Sequence, residues 1–426
     1  MKILIVTYTY PPAKSVNGFR PLYFARAMEQ YGWKVEVLTR HFTGSESFDE
    51  YNRPNHTPYS YTLESGVMVH RVPHHNSWFG YYNWPGMRSL GLWKLIYFTQ
   101  LLCGRTTQES YSKWIGYYLK HLLKSTPYDA ILVESGPTNL VRAVARIAST
   151  LRIPYIIDFR DAYYHEMYLK DPSKIGFSKK IKLGLEKYYM RRPITSAHYC
   201  ISLSSTLLNI LQVPPGKQKV IVNGYDEVAW SKLKNNPDAD IFSIIIAGTL
   251  YDREILKIFL EGLQLFLSKG LKKVEVLFIA PGPPSVIERI REALPFDDVK
   301  ILPARISYEA TLEHMATAQV LAYHGWKGYS GYPSAKIYEY IRSGKKIWIL
   351  PADGDVIDAL LLETQTGKSF TDPGIAAQQL HAWYDEWVIK GEVTNTPNWE
   401  IIQRHSRQVQ SEKINQIVSA MTQGLK

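Results

Sequence analysis

The chain has 426 residues, of which 45% are hydrophobic and 21% are charged. A single hydrophobic core seldom grows beyond about 250–300 residues, so this length predicts two domains, and the composition excludes a disordered chain. The presence of only two cysteines excludes a disulfide framework and favours a reducing compartment. The apolar run after Met1 is too short for a signal peptide. A helix that spans a bilayer needs about 20 apolar residues, and no later run is that long. These observations predict a cytoplasmic protein.

The charge is distributed unevenly along the chain. Residues 1–225 hold 28 lysines and arginines against 14 acidic residues, a net of +14, whereas residues 226–426 hold 22 against 25, a net of −3; together they give +11. An excess of this kind predicts an anionic partner for the first half. No nucleic-acid-binding motif accompanies the charge, so we expect no nucleic acid; an anionic membrane surface or a phosphate-bearing lipid fits the charge.

Short apolar runs alternate with helix-length amphipathic stretches, which is the pattern of parallel sheets covered by helices. The predicted strands are 2–8, 34–39, 67–72, 130–134, 155–158 and 198–203 in the first half, and 242–247, 274–279, 299–302, 320–323 and 346–350 in the second. The predicted helices between them include 19–31, 137–150, 254–268, 308–318 and 334–343. The order predicts an α/β fold of two tandem, doubly wound Rossmann-like domains with a cleft between them.

Breaks in the pattern suggest where these domains begin and end. Two prolines and a glycine at 214–216 stop a helix, and a turn follows at 223–226. We therefore expect an N-terminal domain over 1–213, a linker over 214–230 and a second domain over 231–392. The segment 393–426 ends in an amphipathic helix without a partner of its own, so we expect it to dock back on the N-terminal domain.

One segment, residues 74–125, is rich in aromatic and basic side chains. Rings at headgroup level and cations facing phosphates are typical of a membrane-interface surface. The alternative is that these residues form helices within the core of the first domain, with solvated lysines.

A loop that opens the first helix contains Asn17 and Gly18, with Arg20 just after them. A glycine where a strand turns into a helix allows backbone N–H groups to approach an anion, and the helix dipole assists. This pattern predicts a phosphate or acceptor loop. An ordinary strand-to-helix connection is the alternative.

Glycines follow two predicted strands of the second half in the same way. Gly248 and Thr249 precede Arg253, and Gly282 ends the next strand, while Arg305 follows the strand after that. In open α/β sheets, ligands bind beyond the carboxyl ends of the strands. We expect these residues to bind a pyrophosphate-containing ligand, with simple chain turns as the alternative.

The stretch 331–345, GYPSAKIYEYIRSGK, carries the most specific pattern. Ser334 and Ala335 begin a helix whose N-terminus can bind a phosphate, and Lys336 adds a positive charge. Glu339, one turn further on, offers two carboxylate oxygens to the hydroxyls of a ribose. An ordinary Lys–Glu pair on a helix face is the alternative.

Taken together, these motifs resemble glycosyltransferases of family 4 with the GT-B fold, in order and over nearly the whole chain. The carriers of the resemblance are the PP…NG loop, VNGYD, AGTL, APGP and PSAKIYEYIRSGK. In this part of the chain, the family has two glutamates separated by seven residues. Glu339 resembles the second of them, which implies a ribose contact. Gly331 stands in place of the first. The chain is similar to a subset with a Pro-Ser-x-Lys helix start.

The same subset also resembles this chain in the sequence Asp158-Phe159-Arg160-Asp161, which lies at the end of a predicted strand. Thr138 lies earlier in the chain, after the preceding predicted strand. Relatives often carry a histidine near the position of Thr138. Because this chain has Thr138 there, the family's acceptor-side chemistry does not carry over. We expect Arg160 and Asp161 to orient the acceptor, while an Arg–Asp pair that braces the strand end is the alternative.

The resemblance implies a retaining transfer of a sugar from UDP or GDP to a hydroxyl group, in the assembly of a polysaccharide. The basic first half and the segment 74–125 favour a lipid-linked precursor as the acceptor. Arg253 and Lys336 would stabilise the leaving diphosphate, with Arg160 and Asp161 on the acceptor side. We expect no metal and no cofactor besides the substrate, because no spaced set of metal-ligating residues is present. The implied location is the cytoplasm, peripherally on the inner face of the cell membrane. The alternatives are an epimerase or hydrolase of nucleotide sugars and a catalytically silent binding partner.

Overall fold

A computed structural model describes residues 1–13, 18–44, 57–73, 109–162, 167, 169–233, 240–250 and 253–423. The chain divides into two compact units. The first unit comprises Met1–Val222 and Ser411–Lys426, and the second comprises Asn223–Gln410. The first unit extends beyond residue 213 because strand 218–220 pairs with the sheet of that unit. The expected cleft between the units stays a prediction.

The first unit is built on one eight-stranded sheet. Its strands are β1 (Lys2–Val6), β2 (Lys34–Arg40), β3 (Ser60–Glu64), β4 (Val67–Val72), β5 (Ala130–Glu134), β6 (Tyr155–Phe159), β7 (Tyr199–Ser202) and β8 (Gln218–Val220). Their order in the sheet is β3-β4-β2-β1-β5-β6-β7-β8, and β3 is antiparallel to β4 whereas the other pairs are parallel. The helices are α1 (Phe19–Gln30), α2 (Glu109–Ser125), α3 (Thr138–Leu151), α4 (Phe177–Ser196) and α5 (Ser205–Ile210).

The second unit has a six-stranded, wholly parallel sheet. Its strands are β9 (Phe242–Ala247), β10 (Val274–Ile279), β11 (Val299–Leu302), β12 (Val320–His324), β13 (Lys346–Leu350) and β14 (Gly367–Ser369). The helices are α6 (Glu227–Trp230), α7 (Arg253–Leu267), α8 (Pro284–Ala293), α9 (Tyr308–Thr317), α10 (Ala335–Ser343), α11 (Val356–Thr364), α12 (Pro373–Lys390) and α13 (Trp399–Gln403). The order β11-β10-β9-β12-β13-β14 reverses direction between β9 and β12, as in a Rossmann fold.

The last helix, α14 (Arg407–Gln423), begins in the second unit and ends in the first. Its apolar residues Ile414 and Val418 are fully buried in the core of the first unit, with the strand residues Ile3 and Val35. Trp33 Nε1 also donates a hydrogen bond to Asn415 Oδ1 at 3.0 Å. The terminal helix thus completes the core of the first unit.

Both sheets follow from continuous runs of branched apolar residues. The runs ILIV of β1 and SIIIA of β9 are buried along their length, which is typical of parallel strands covered by helices on both faces. The prediction of two doubly wound α/β domains is therefore confirmed. Residues 74–108 of the aromatic and basic segment lie outside the described residues, and α2 covers the rest of that segment.

Candidate active site

Helix α10 is fixed to the sheet of the second unit by a buried tyrosine. The hydroxyl of Tyr340 accepts a hydrogen bond from the backbone N–H of Ala247 at 2.9 Å, at the end of β9. At the start of the helix, Ser334 Oγ is bonded by the hydroxyl of Tyr323 at 2.9 Å and does not cap the helix itself. Helix α10 therefore lies beside the carboxyl end of β9, and its first turn has no side-chain cap on its backbone donors, which is favourable for an anion.

Lys336 lies directly against the glycine loop that follows β9. Its ammonium donates to the carbonyl oxygen of Thr249 at 3.2 Å. Gly248 has a φ of +81°, and a Cβ there would lie 3.0 Å from Lys336 Cδ, so the lysine packs where only a glycine leaves room. Burial lowers the pKa of Lys336 to about 8. Because Lys336 is poorly hydrated at this position, an anionic ligand next to it would stabilise its charged form.

His324 is a second polar group at this edge of the sheet and is not among the residues selected from the sequence. It ends β12 and is 7% exposed, and its Nε2 has no hydrogen-bond partner among the described residues. Burial and the charge of Lys336 lower the pKa of His324 to about 3, so the imidazole is neutral. In the sequence, the only feature that points to His324 as a site residue is its position at the carboxyl end of a predicted central strand.

Glu339 is 6% exposed and is held by three side chains of the second unit. Trp230 Nε1 donates to Oε2 at 2.7 Å, and the Tyr308 hydroxyl and Arg407 Nη2 donate to Oε1 at 2.6 and 3.0 Å. Burial raises the pKa of Glu339, against the opposing effect of Arg407. A carboxylate has about four acceptor positions, so these bonds leave about one for a ribose hydroxyl. The ribose contact stays a prediction.

The other residues predicted to bind the donor lie around the same sheet edge or outside the described residues. Gly282 follows β10 with a φ of +134°, Ala335 is the exposed first residue of α10, and Arg305 is exposed after β11. Arg253 begins α7, but its side chain lies outside the described residues, as does Asn17. At the position of the family's first glutamate, Gly331 has a φ of +71° and donates its N–H to Asp355 Oδ2 at 2.6 Å.

In the first unit, Arg20 braces the sheet. Its Nε and Nη2 bond the two oxygens of Asp158 at 2.7 and 2.9 Å, and the guanidinium also donates to the carbonyl oxygens of Ile221 and Val222 at 3.0 and 3.3 Å. Arg20 is 5% exposed. These contacts give Arg20 a structural role. That Arg20 also belongs to a phosphate-binding loop stays a prediction.

The remaining acceptor-side residues lie near the carboxyl ends of β1, β5 and β6 or precede α1. Gly18 is buried directly before α1, and Thr138 is buried at the start of α3, 3.4 Å from Glu186 Oε2. Arg160 donates its Nε to Asp161 Oδ2 at 2.7 Å and its Nη1 to Glu134 Oε1 at 3.2 Å. The structure thus joins Arg160 and Asp161 as a pair and places Glu134, the last residue of β5, beside them.

The chain resembles solved GT-B enzymes over its whole length. Sucrose-phosphate synthase from Thermosynechococcus elongatus matches with a TM-score of 0.63 and 13% identity over 100% of both chains. HepE from Anabaena, solved with UDP, matches at 0.60 and 14% identity over 99% of this chain and 100% of that one. A UDP-forming α,α-trehalose-phosphate synthase from Burkholderia vietnamiensis matches at 0.63 and 12% identity over 99% of each chain.

These likenesses show that the protein has the GT-B fold of nucleotide-sugar glycosyltransferases. At 12–14% identity they show the fold alone. No protein-family model matches the sequence, and no curated protein does. The particular family-4 subset therefore stays a prediction.

Within the ranges given above, no helix is both long enough and apolar enough to cross a bilayer. Over the same ranges, no three His, Cys, Asp or Glu side chains come together as a metal would require.

Proposed function

We propose that the protein is a family-4-like, retaining glycosyltransferase that uses a UDP- or GDP-sugar. The observation that carries this proposal is Lys336, a poorly solvated cation at the start of α10, packed on Gly248 and bonded to Thr249 at the end of β9. A helix N-terminus, a glycine loop and a half-buried cation at one sheet edge are features that suit a diphosphate. The solved relatives of the same fold include one with UDP bound, which supports the choice of ligand.

In the proposed reaction, the bond between the anomeric carbon of the sugar and the diphosphate oxygen breaks, and a bond from that carbon to the acceptor oxygen forms. The proton of the acceptor hydroxyl leaves with the diphosphate. Lys336 and Arg253 stabilise the negative charge that develops on the diphosphate without a metal ion. Arg160 and Asp161 orient the acceptor, and Thr249, Ser334 and the first-turn N–H groups hold the phosphates.

We further propose a lipid-linked or polysaccharide precursor as the acceptor, with the protein in the cytoplasm and bound to the inner face of the cell membrane. Support comes from α4 and the residues before it: segment 170–196 holds eight lysines and arginines against two acidic residues. Phe177 and Tyr188 on α4 are 80% and 72% exposed. They are eleven residues apart and so share one face of the helix, where rings and cations suit an anionic bilayer surface.

The test combines binding and turnover. We expect UDP or GDP to raise the unfolding temperature of the wild-type protein, and Lys336→Gln to reduce that shift, because a ligand of the native state stabilises it. With a panel of nucleotide sugars, free nucleotide should be released only when membrane lipid extract or glycan acceptor is present. If no nucleotide raises the unfolding temperature, the transferase proposal is wrong.

The turnover assay also separates the alternatives. Release of nucleotide without any acceptor identifies a hydrolase, and interconversion of the sugar identifies an epimerase. Gly331, in place of the family's first glutamate, favours a third alternative, a protein that binds a nucleotide sugar without turnover. Binding with no release and no interconversion in any mixture identifies that binding partner.

A further inference from the structure

Three carboxylates and two guanidinium groups meet at the carboxyl ends of β5 and β6 in the first unit. Arg20 pairs with Asp158, and Arg160 pairs with Asp161. Glu134 is the third carboxylate, 4% exposed, and it shares Arg160 with Asp161. When all five groups are ionised, the cluster has one negative charge in excess, and two of its three carboxylates, Glu134 and Asp158, are buried whereas the Asp161 side chain is 39% exposed. That excess is removed if Glu134 holds a proton.

The hydrogen bonds around Glu134 accommodate both of its protonation states. Glu134 Oε2 is in short contact with Thr7 Oγ1, and the same hydroxyl lies 3.1 Å from the carbonyl oxygen of Thr9. An ionised Glu134 accepts the hydroxyl proton of Thr7. A protonated Glu134 donates to Thr7 Oγ1, and Thr7 then donates to Thr9. Because neither state leaves a donor without an acceptor, the local structure opposes neither.

Arg160 retains capacity for a ligand. Its side chain is 22% exposed, and within the described ranges nothing accepts a hydrogen bond from its Nη2. Next to Glu134, Ser135 is 7% exposed, its N–H is bonded to the carbonyl oxygen of Asp158 at 2.8 Å, and its Oγ has no partner among the described residues. An unused guanidinium nitrogen and an unused buried hydroxyl are thus held at one sheet edge, where open α/β sheets bind ligands.

We propose that this edge of the first unit binds a phosphate-type anion through Arg160, and that Glu134 is a positioning residue whose protonation switches the site on. With Glu134 neutral, Arg160 is paired with Asp161 alone and its second side is available to an anion. With Glu134 ionised, Arg160 lies between two carboxylates and an incoming anion is repelled. The role of this site as the acceptor's phosphate contact rests on the proposed transferase function, whereas the anion site itself does not.

The electrostatics of the surrounding elements agree with this switch. Burial raises the pKa of Glu134 to about 7, with Asp158 on β6 adding to the rise. Arg160, Thr7 directly after β1 and Arg20 on α1 oppose it. On α4, Glu186 approaches Thr138 at the start of α3 and stands as a separate buried carboxylate, whose pKa burial also raises. Glu134 therefore changes charge in the physiological range of pH.

Sulfate is the probe of choice because it does not titrate near neutrality. Equilibrium dialysis with radiolabelled sulfate should show the wild-type affinity falling about tenfold between about pH 6 and about pH 8, as the neutral fraction of Glu134 falls from about 0.9 to about 0.1. Glu134→Gln should keep the low-pH affinity at both values, and Arg160→Gln should lose this binding. Glu186→Gln, a matched buried carboxylate, should retain the wild-type pH dependence.

An unchanged wild-type affinity across this pH range would overturn the switch, as would a wild-type slope in Glu134→Gln or undiminished binding in Arg160→Gln. A second measurement needs no variant: the infrared carbonyl band of a protonated carboxyl group should grow when sulfate is added slightly above neutral pH. Absence of that growth also contradicts the proposal. None of these readouts depends on sugar transfer, so their failure is distinct from failure of the transferase proposal.

Competition then identifies the source of the anion. Displacement of sulfate by glucose 6-phosphate but not by phosphatidylglycerol vesicles assigns the site to a soluble phosphate ester. The reverse result assigns it to a lipid headgroup. Displacement by neither overturns the assignment to phosphate-type ligands.

Discussion

Arg407 Nη2 donates to Glu339 Oε1 at 3.0 Å, and Nη1 of the same guanidinium donates to Asp226 Oδ2 at 3.2 Å. The first residue of the last helix thus bridges two carboxylates of the second unit. The backbone supports this contact, because Arg407 N–H is bonded to the carbonyl oxygen of Tyr225 at 2.9 Å. The helix that carries Lys336 and Glu339 is therefore anchored by a residue that lies 68 positions further along the chain.

Arg407→Met should destabilise the protein, and more strongly as the pH rises. Removal of one partner from a buried ion pair costs about 3 kcal/mol because the other charge stays buried. Burial already raises the pKa of Glu339 and Arg407 opposes that rise, so the variant raises this pKa further. A carboxyl group whose pKa is higher in the folded state holds a proton at low pH, and its ionisation at higher pH costs stability. Denaturant unfolding at about pH 5 and about pH 8 measures the difference.

Arg404→Met is the matched control, because Arg404 pairs with Glu400 at the surface, where both side chains are at least 60% exposed. We expect it to cost less than about 1 kcal/mol at either pH. Adding Glu339→Gln to Arg407→Met should restore most of the loss at high pH. An equal loss at both pH values in the Arg407 variant would show that Glu339 is not the group left uncompensated.

Lys336→Gln should weaken UDP binding roughly 10- to 100-fold, the loss of a hydrogen bond to a charged group. Burial lowers the pKa of Lys336 to about 8, so the wild-type site loses its positive charge as the pH rises through that value. Wild-type affinity for UDP should therefore fall above about pH 8, with proton uptake on binding, and the variant should lack both effects. Calorimetric titration in two buffers of different ionisation enthalpy measures both.

Lys345 supplies the control, since burial also lowers its pKa to about 8 and it lies just beyond the other end of α10. Lys345→Gln should leave UDP affinity and its pH dependence unchanged. If both lysine variants weaken binding equally, general charge rather than contact at Lys336 governs nucleotide affinity.

The sequence predicts most of the fold because the parallel strands are continuous apolar runs. β5, β9 and β10 lie over the predicted residues. Three strands are not predicted from the sequence, and all three are edge strands: β3, β8 and β14. β3 is largely exposed, and the other two have only three residues, QKV and GKS, so neither apolar pattern nor length distinguishes them from loops.

The candidate site is predictable only where a motif is local. Lys336, Gly248 and Thr249 lie in short motifs, and the structure brings them into contact. The partners of Glu339 and the contact of Glu134 with Arg160 join residues that are distant in sequence. A single sequence does not reveal which buried carboxylate meets which arginine, because that depends on how sheet and helices pack.

Gly331→Glu, which introduces the glutamate found in the resembled family, should not increase transferase turnover. Gly331 has a φ of +71°, and a side chain in that left-handed region costs about 1 kcal/mol. The hydrogen bond from its N–H to Asp355 holds the backbone in this left-handed conformation, so a glutamate at this position cannot relax to a favourable one without losing that bond. We expect lower stability and lower turnover. Gly328→Glu, at φ +85° with open space around it, should lose similar stability but retain turnover. A rise in turnover of Gly331→Glu alone would show that the loop adapts to the glutamate.

Gly248→Ala tests whether the packing of Lys336 on the glycine loop is what shapes the proposed phosphate site. The new Cβ would lie 3.0 Å from Lys336 Cδ and 3.1 Å from its Nζ, so the end of the lysine side chain must shift by a few tenths of an ångström, which disturbs its bond to Thr249. We expect UDP affinity to fall about tenfold, or about 1.4 kcal/mol, and stability to fall by about 1 kcal/mol from the left-handed backbone.

The control for Gly248→Ala is Gly270→Ala, where φ is +62° and nothing lies within 4 Å of the added Cβ. This variant carries the same backbone strain without touching Lys336, so it should lose similar stability and keep wild-type UDP affinity. Thermal unfolding and UDP titration of both variants separate strain from displacement of the lysine. Equal UDP affinities in the two variants would mean that the position of Lys336 over Gly248 does not matter for the nucleotide.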